Sequence, residues 1–163
     1  MQLAKEIQYV CGIAFLKRGP ENLGGPKMLL VRKNKGPKAV KDKLCPIGGK
    51  VEVTRESHRG GMIREFREEC GIETTIDEWM TFHVERYGPS DERNGMDSRV
   101  TYMVARLPAD RFNSYRTAED EPIEVHGFQD VIDGCSEYVH NLDHLMIMAL
   151  NYLMFPEHRY LEG

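Results

Sequence analysis

The chain has 163 residues, 40% of them apolar, enough for one domain built on one core. A formal net charge of −4 excludes the global basic footprint of a nucleic-acid binder, and nothing approaches the roughly 18 consecutive apolar residues of a membrane-spanning helix. Cys11, Cys45, Cys70 and Cys135 are widely spaced, without a CxxC pair or zinc-ligand spacing. They read as reduced thiols of a cytoplasmic protein, and the first residues lack the order of a signal peptide.

In chain order, "YVCGIAFL" (9–16) and "KMLLVRK" (27–33) read as strands joined by the Gly/Pro-rich turn "RGPENLGGP". A basic loop, "KNKGPKAVKDK", follows, and "LCPIGGKVEV" then places a Gly-Gly turn between short apolar pieces. A helix is expected over Arg55–Cys70. "WMTFHVERYG" and "SRVTYMVARL" read as two further strands around the loop "PSDERNGMD", and "IEVHGFQDV" as a strand or strand-turn. "SEYVHNLDHLMIMALNYLMF" has helical periodicity with Ser136 as candidate N-cap. Its Met- and Leu-rich end suits core packing, with the face of a homodimer as the other reading. No repeat or linker divides residues 1–163, so a single domain is expected. Its class is α/β of the α+β type: a mixed sheet sandwiched between helices.

The segment "GGMIREFREECGI" (60–72) carries the chemistry. On a helical wheel Ile63, Phe66 and Cys70 share one side, with Met62 at its margin. Glu65 and Glu69 form an i,i+4 pair, Glu68 lies on the same flank, and so does Gly61. Gly71 is placed to end the helix in the left-handed conformation. Adjacent like charges cost a few tenths of a kcal/mol per pair, and a helix-interior glycine about 1 kcal/mol. A hard divalent cation would offset the repulsion, and a glycine on that flank would let a phosphate approach. A solvated face laced with Glu–Arg pairs has the same composition.

Gly48-Gly49 lies upstream, and from Glu56 the chain runs through seven residues into "REFREECGI". At these positions it resembles the Nudix hydrolases, whose signature is Gx5Ex7REUxEExGU with U aliphatic. Arg64, Glu65, Glu68, Glu69, Gly71 and Ile72 match, with Phe66 at the first U. Six residues rather than five separate Gly49 from Glu56, a one-residue insertion within "VEVTRE".

The resemblance implies water attack on a pyrophosphate carried by a nucleoside diphosphate, with Mg²⁺ or Mn²⁺ as cofactor. By carry-over Glu65 and Glu69 are the main metal ligands, helped by the Gly49 carbonyl and by Glu68. Arg64 orients a carboxylate. Glu56 has an orienting or helix-start role, with ligation as the other option, and Glu52 is a ligand or merely exposed. The general base comes from outside the helix: Glu92 first, then Asp91, Glu119 or Glu121. His58 reads as solvated. Gly48, Gly49 and Lys50 would border the substrate, and Lys35–Lys43 would attract phosphates.

Pro89 stands where ADP-ribose pyrophosphatases of the family often have a proline, and Tyr87 where dinucleoside polyphosphate hydrolases often have a tyrosine. ADP-ribose or a related ADP-sugar is the expected substrate, with dinucleoside polyphosphates and oxidised dNTPs as alternatives. A Nudix-fold binding module without catalysis is a further one. The partner is thus a nucleotide-type small molecule, with neither membrane nor nucleic acid involved.

Overall fold

The computed structural model describes residues 5–17, 25–134 and 137–155. Cys135, Ser136 and most of the "RGPENLGGP" turn lie outside them. Seven strands among the described residues form one mixed sheet: β1 (Ile7–Leu16), β2 (Lys27–Arg32), β3 (Leu44–Cys45), β4 (Ile47–Lys50), β5 (Met80–Ser90), β6 (Met96–Leu107) and β7 (Ile123–Gly127). The order is β3-β2-β1-β6-β5, with β4 also paired to β1 and β7 to β2. β1 and β6 run parallel over the whole length of β1, and the other pairings are antiparallel.

Strand β1 is nearly all apolar because both of its faces are covered. Val10 and Ala14 join Leu29, Val31, Met103 and Ala105 in one core, closed by α1 (His58–Cys70) through Met62, Phe66 and Cys70. Ile13 and Phe15 point the other way, with Met28, Leu30, Phe82 and Val104, onto Leu145, Met146, Ala149 and Leu153 of α4 (Leu142–Met154). The last helix is therefore core packing along that face. The short helices α2 (Ala109–Phe112) and α3 (Phe128–Asp133) complete the mixed α+β architecture. No helix among the described residues is long and apolar enough to cross a membrane.

Gly12 explains how α1 comes so close to the sheet. A Cβ there would lie 2.7 Å from both Met62 Sδ and the Trp79 ring. Met62 therefore sits at the centre of the buried face with Phe66 and Cys70, while Ile63 is half-buried at the margin, the reverse of the wheel's assignment.

Several boundaries also differ from expectation. α1 begins at His58 rather than Arg55, because Ser57 caps it by accepting the Gly60 N–H at 3.0 Å. Gly71 closes it with φ 72°. Gly48-Gly49 is not a turn but the middle of β4, paired with Cys11 and Val10. The segment before α4 is extended rather than helical. Leu44 N–H donates to Glu137 O at 2.8 Å, and Val139 N–H to Leu44 O at 2.9 Å. The loop between β5 and β6 shrinks to a 3₁₀ turn, Asp91–Arg93, closed by Asn94 and Gly95 at positive φ. Pro89 falls inside β5. That strand is at an edge of the sheet and irregular between Tyr87 and Ser90, so no ladder bond is forfeited.

Candidate active site

β4 and α1 face one another at Gly49 and Glu65. A Cβ on Gly49 would lie 2.5 Å from Glu65 Cδ and 2.7 Å from Oε2, so only glycine lets the carboxylate lie against this backbone. Gly48 has a different reason. Its Cβ would run into the Val10 carbonyl and lie 2.8 Å from Cys11 Cα, so it serves the β1–β4 pairing. Gly61 is buried against Val51 and Glu56 and opens no path for a ligand.

Arg64 organises the carboxylates. Its Nε donates to Glu56 Oε2 at 3.0 Å and its Nη2 to Glu56 Oε1 at 2.8 Å and to the Lys50 carbonyl at 3.0 Å. Nη1 donates to Glu65 Oε1 at 2.8 Å and Glu68 Oε2 at 3.1 Å. Glu56 also accepts the Glu52 N–H at 2.9 Å, closing the turn that holds the extra residue. Glu56 therefore lies ahead of the helix and binds Arg64, the orienting position among its expected roles. Hydrogen bonding to Arg64 holds its carboxyl below the usual range.

Glu69 is the most buried of the group, its side chain 7% exposed. Oε1 faces Lys33 Nζ at 3.6 Å, and Oε2 is buried without a hydrogen-bond partner. Burial raises its pKa to about 7 against the opposing pull of Lys33, with Glu65, Glu119 and Glu121 adding to the rise. Glu65 is raised too, chiefly by burial, with Arg64 opposing. Lys33 links this helix to the 117–121 segment through Glu121 Oε1 at 3.2 Å.

That segment is tied to the end of α1. Arg116 N–H donates to Cys70 O at 3.0 Å and Ala118 N–H to Glu69 O at 3.2 Å, which brings Glu119 and Glu121 to the carboxylates. Glu121 also accepts the Asn34 N–H at 2.7 Å. A cleft of about 350 Å³ opens there, lined by Lys35, Glu119, Asp120 and Glu121. Lys33 was expected only as the end of the strand "KMLLVRK" and the start of the basic loop, with no role at the site. Its only signal was a second cation, after Arg32, beyond the apolar run "MLLV".

Glu92 and Asp91 lie elsewhere. Thr101 of β6 is level with Val10, and thus with Gly49 of β4. The hairpin tip is some seven residues further along the strand, roughly 20 Å at the usual rise. Tyr87, paired with Ser98, is roughly 10 Å along the same direction. It donates to Glu85, and His83 Nε2 lies 3.0 Å from Glu85 Oε1. The His83 ring stacks on Tyr102 at 5.9 Å. Burial pushes the Glu85 carboxyl up, but the bonds from Tyr87 and His83 outweigh it and hold the group low. His58, expected to be solvated, is half-buried, with Nε2 3.1 Å from Gln8 Oε1.

Among the described residues no three His, Cys, Asp or Glu side chains converge to enclose a metal as they stand. Glu65 and Glu68 are turned onto Arg64, and Glu69 onto Lys33. The donor set still fits a hard divalent cation. It consists of carboxylate oxygens, one of them buried and unpartnered, beside a glycine backbone with room for no side chain.

The NUDIX domain of Shewanella oneidensis NrtR, solved with ADP ribose, superposes on 93% of this chain and 90% of its own, with a TM-score of 0.66 and 15% identity. The fold is the Nudix fold. A Caenorhabditis elegans Ap4A hydrolase covers 91% of this chain and 99% of its own at TM-score 0.61 and 17% identity. A bifunctional NMN adenylyltransferase/ADP ribose pyrophosphatase from Francisella tularensis, complexed with AMP and a manganese ion, covers 97% of this chain at TM-score 0.60 and 17% identity; the chain spans only 43% of its length. No family model and no curated protein matches the sequence.

Proposed function

We propose that the chain is a divalent-metal-dependent pyrophosphohydrolase cleaving the phosphoric anhydride of a nucleoside diphosphate linked to a second group. The observation that carries this is the pair Glu65 and Glu69, side by side on α1. One lies against the Gly49 backbone; the other has a buried, unpartnered oxygen. All four glutamates of the signature, Glu56, Glu65, Glu68 and Glu69, are present, which favours catalysis over binding alone.

Glu65 and Glu69 would hold Mg²⁺ or Mn²⁺, with Glu68 and the Gly49 carbonyl as further oxygen donors. Such a cation supplies charge neutralisation to the anhydride oxygens and lowers the pKa of water. Arg64 holds Glu56, Glu65 and Glu68 in fixed orientation. Water attacks one phosphorus; its oxygen forms the new P–O bond as the bridging P–O bond breaks, and its proton passes to a carboxylate. Glu119 is the preferred base, because the backbone bonds of Arg116 and Ala118 carry it to the metal-binding flank, whereas Glu92 lies at the hairpin tip.

ADP-ribose or a related ADP-sugar is the preferred substrate, giving AMP and a sugar phosphate. Support comes from Pro89 and from the fold shared with proteins solved with ADP ribose or AMP. Tyr87 and His83, the latter backed by the buried Tyr102, offer aromatic faces for the base, with Glu85 as acceptor for its amino group. The second reading, dinucleoside polyphosphate hydrolysis, is favoured by Tyr87 and the Ap4A hydrolase likeness. Comparing kcat/KM for ADP-ribose, Ap4A and 8-oxo-dGTP under one metal condition decides between them. A tenfold preference for Ap4A or the dNTP overturns the ADP-ribose assignment.

A further inference from the structure

A cation is built into the chain opposite the carboxylates of α1. Lys33 follows the last residue of β2, and its backbone is held on both sides by the basic loop. Its N–H donates to Lys43 O at 2.9 Å, and its carbonyl accepts from Asp42 N–H at 2.6 Å. From this fixed stem the ammonium reaches Glu69 Oε1 at 3.6 Å and Glu121 Oε1 at 3.2 Å. Among the described residues no other cation lies within ion-pair distance of Glu69. The hydrolytic reading leaves Lys33 without a role.

We infer that Lys33 is an internal counter-ion that competes with the divalent cation for Glu69 and so sets the metal affinity of the site. The inference rests on the reading of Glu65 and Glu69 as metal ligands. An ammonium at this distance neutralises a carboxylate that is almost fully withdrawn from water and repels any second cation that approaches it. Glu121 gives it another anion to hold when Glu69 is taken. The arrangement keeps the acidic cluster folded when metal is scarce and makes binding depend on metal concentration. It also separates Lys33 from Lys35, which points into the cleft, pairs with Asp120 at 3.2 Å and leaves its side chain 75% exposed.

The test is a calorimetric titration of the full chain with MnCl₂ at pH 8, where protons compete least for the carboxylates, without nucleotide, beside thermal melts in EDTA. Lys33→Met should bind Mn²⁺ about tenfold more tightly than wild type and melt at lower temperature in EDTA. Lys33→Arg, which keeps the charge, and Lys35→Met, which removes an exposed charge, should both stay within about twofold of wild type. A purely structural lysine would lower the melting temperature without tightening the metal. Should Lys33→Met not fold in EDTA, its affinity is read from the loaded side by titrating a competing chelator. Wild-type binding with equal or weaker binding by Lys33→Met overturns the inference alone. No Mn²⁺ binding by wild type overturns both it and the metal site.

Discussion

Gly49 leaves Glu65 its place. A Cβ on Gly49 would lie 2.5 Å from the Glu65 carboxyl carbon, so a strand residue fixes where a helix carboxylate lies. In Gly49→Ala the obstruction meets the end of a flexible side chain, which can swing aside. The fold should survive within about 1 kcal/mol, while metal affinity and turnover fall more than tenfold. Gly48→Ala instead meets the backbone of Val10 and Cys11 and should cost about 3 kcal/mol in stability. Denaturant melts with metal titration of the two variants check the contrast.

Arg64 binds three carboxylates at once. Arg64→Lys cannot reproduce the fork and should lose more than tenfold in kcat with about 1–2 kcal/mol of stability, the cluster being partly screened by solvent. A lysine variant as active as wild type would reduce Arg64 to an ordinary surface ion pair.

Glu69 makes stability depend on pH. Its folded pKa of about 7 lies above the ordinary 4.5, so the fold favours the protonated form. This contribution is fully present below about pH 4.5 and is lost as pH rises through about 7. In EDTA the melting temperature should therefore fall between pH 5.5 and 8, and Glu69→Gln should flatten that fall. Metal binding needs the ionised carboxylate, so affinity should rise with pH up to about 7 and then level. Melts and metal titrations across this range read both.

The general base separates two carboxylates by position. Glu119→Gln should lower kcat more than tenfold, on the order of 1.4 kcal/mol or more, with metal affinity changed little. Glu92→Gln, at the hairpin tip, should stay within about threefold. The opposite pattern would return the base to Glu92 and require the hairpin to fold back on the site.

The carboxylate flank of α1 was legible because its information is local: the spacing from Glu56 to Ile72 and the i,i+4 offset of Glu65 and Glu69 lie on one helix. The two-sided core of β1 was likewise written in its unbroken apolar run. What failed needed contacts between distant segments. Gly48-Gly49 looks like a turn by composition, and only the closeness of Val10 and Glu65 explains glycine inside a strand. Met62 takes the centre of the helix face because Gly12, fifty residues earlier, leaves it room. Residues 137–139 have helical periodicity but are captured by Leu44. Lys33 and Glu119 reach the site through loop hydrogen bonds that no periodicity encodes.

Metal-dependent cleavage at this site requires Glu69. The direct measurement is AMP release from ADP-ribose by wild type and by Glu69→Gln, with Mg²⁺ and with EDTA, each protein first verified as folded by circular dichroism. Wild type should release AMP and a sugar phosphate in equal amounts, and none in EDTA, and the folded variant should be more than tenfold slower. Undiminished turnover by Glu69→Gln, or turnover that persists in EDTA, would contradict metal-dependent cleavage through Glu69.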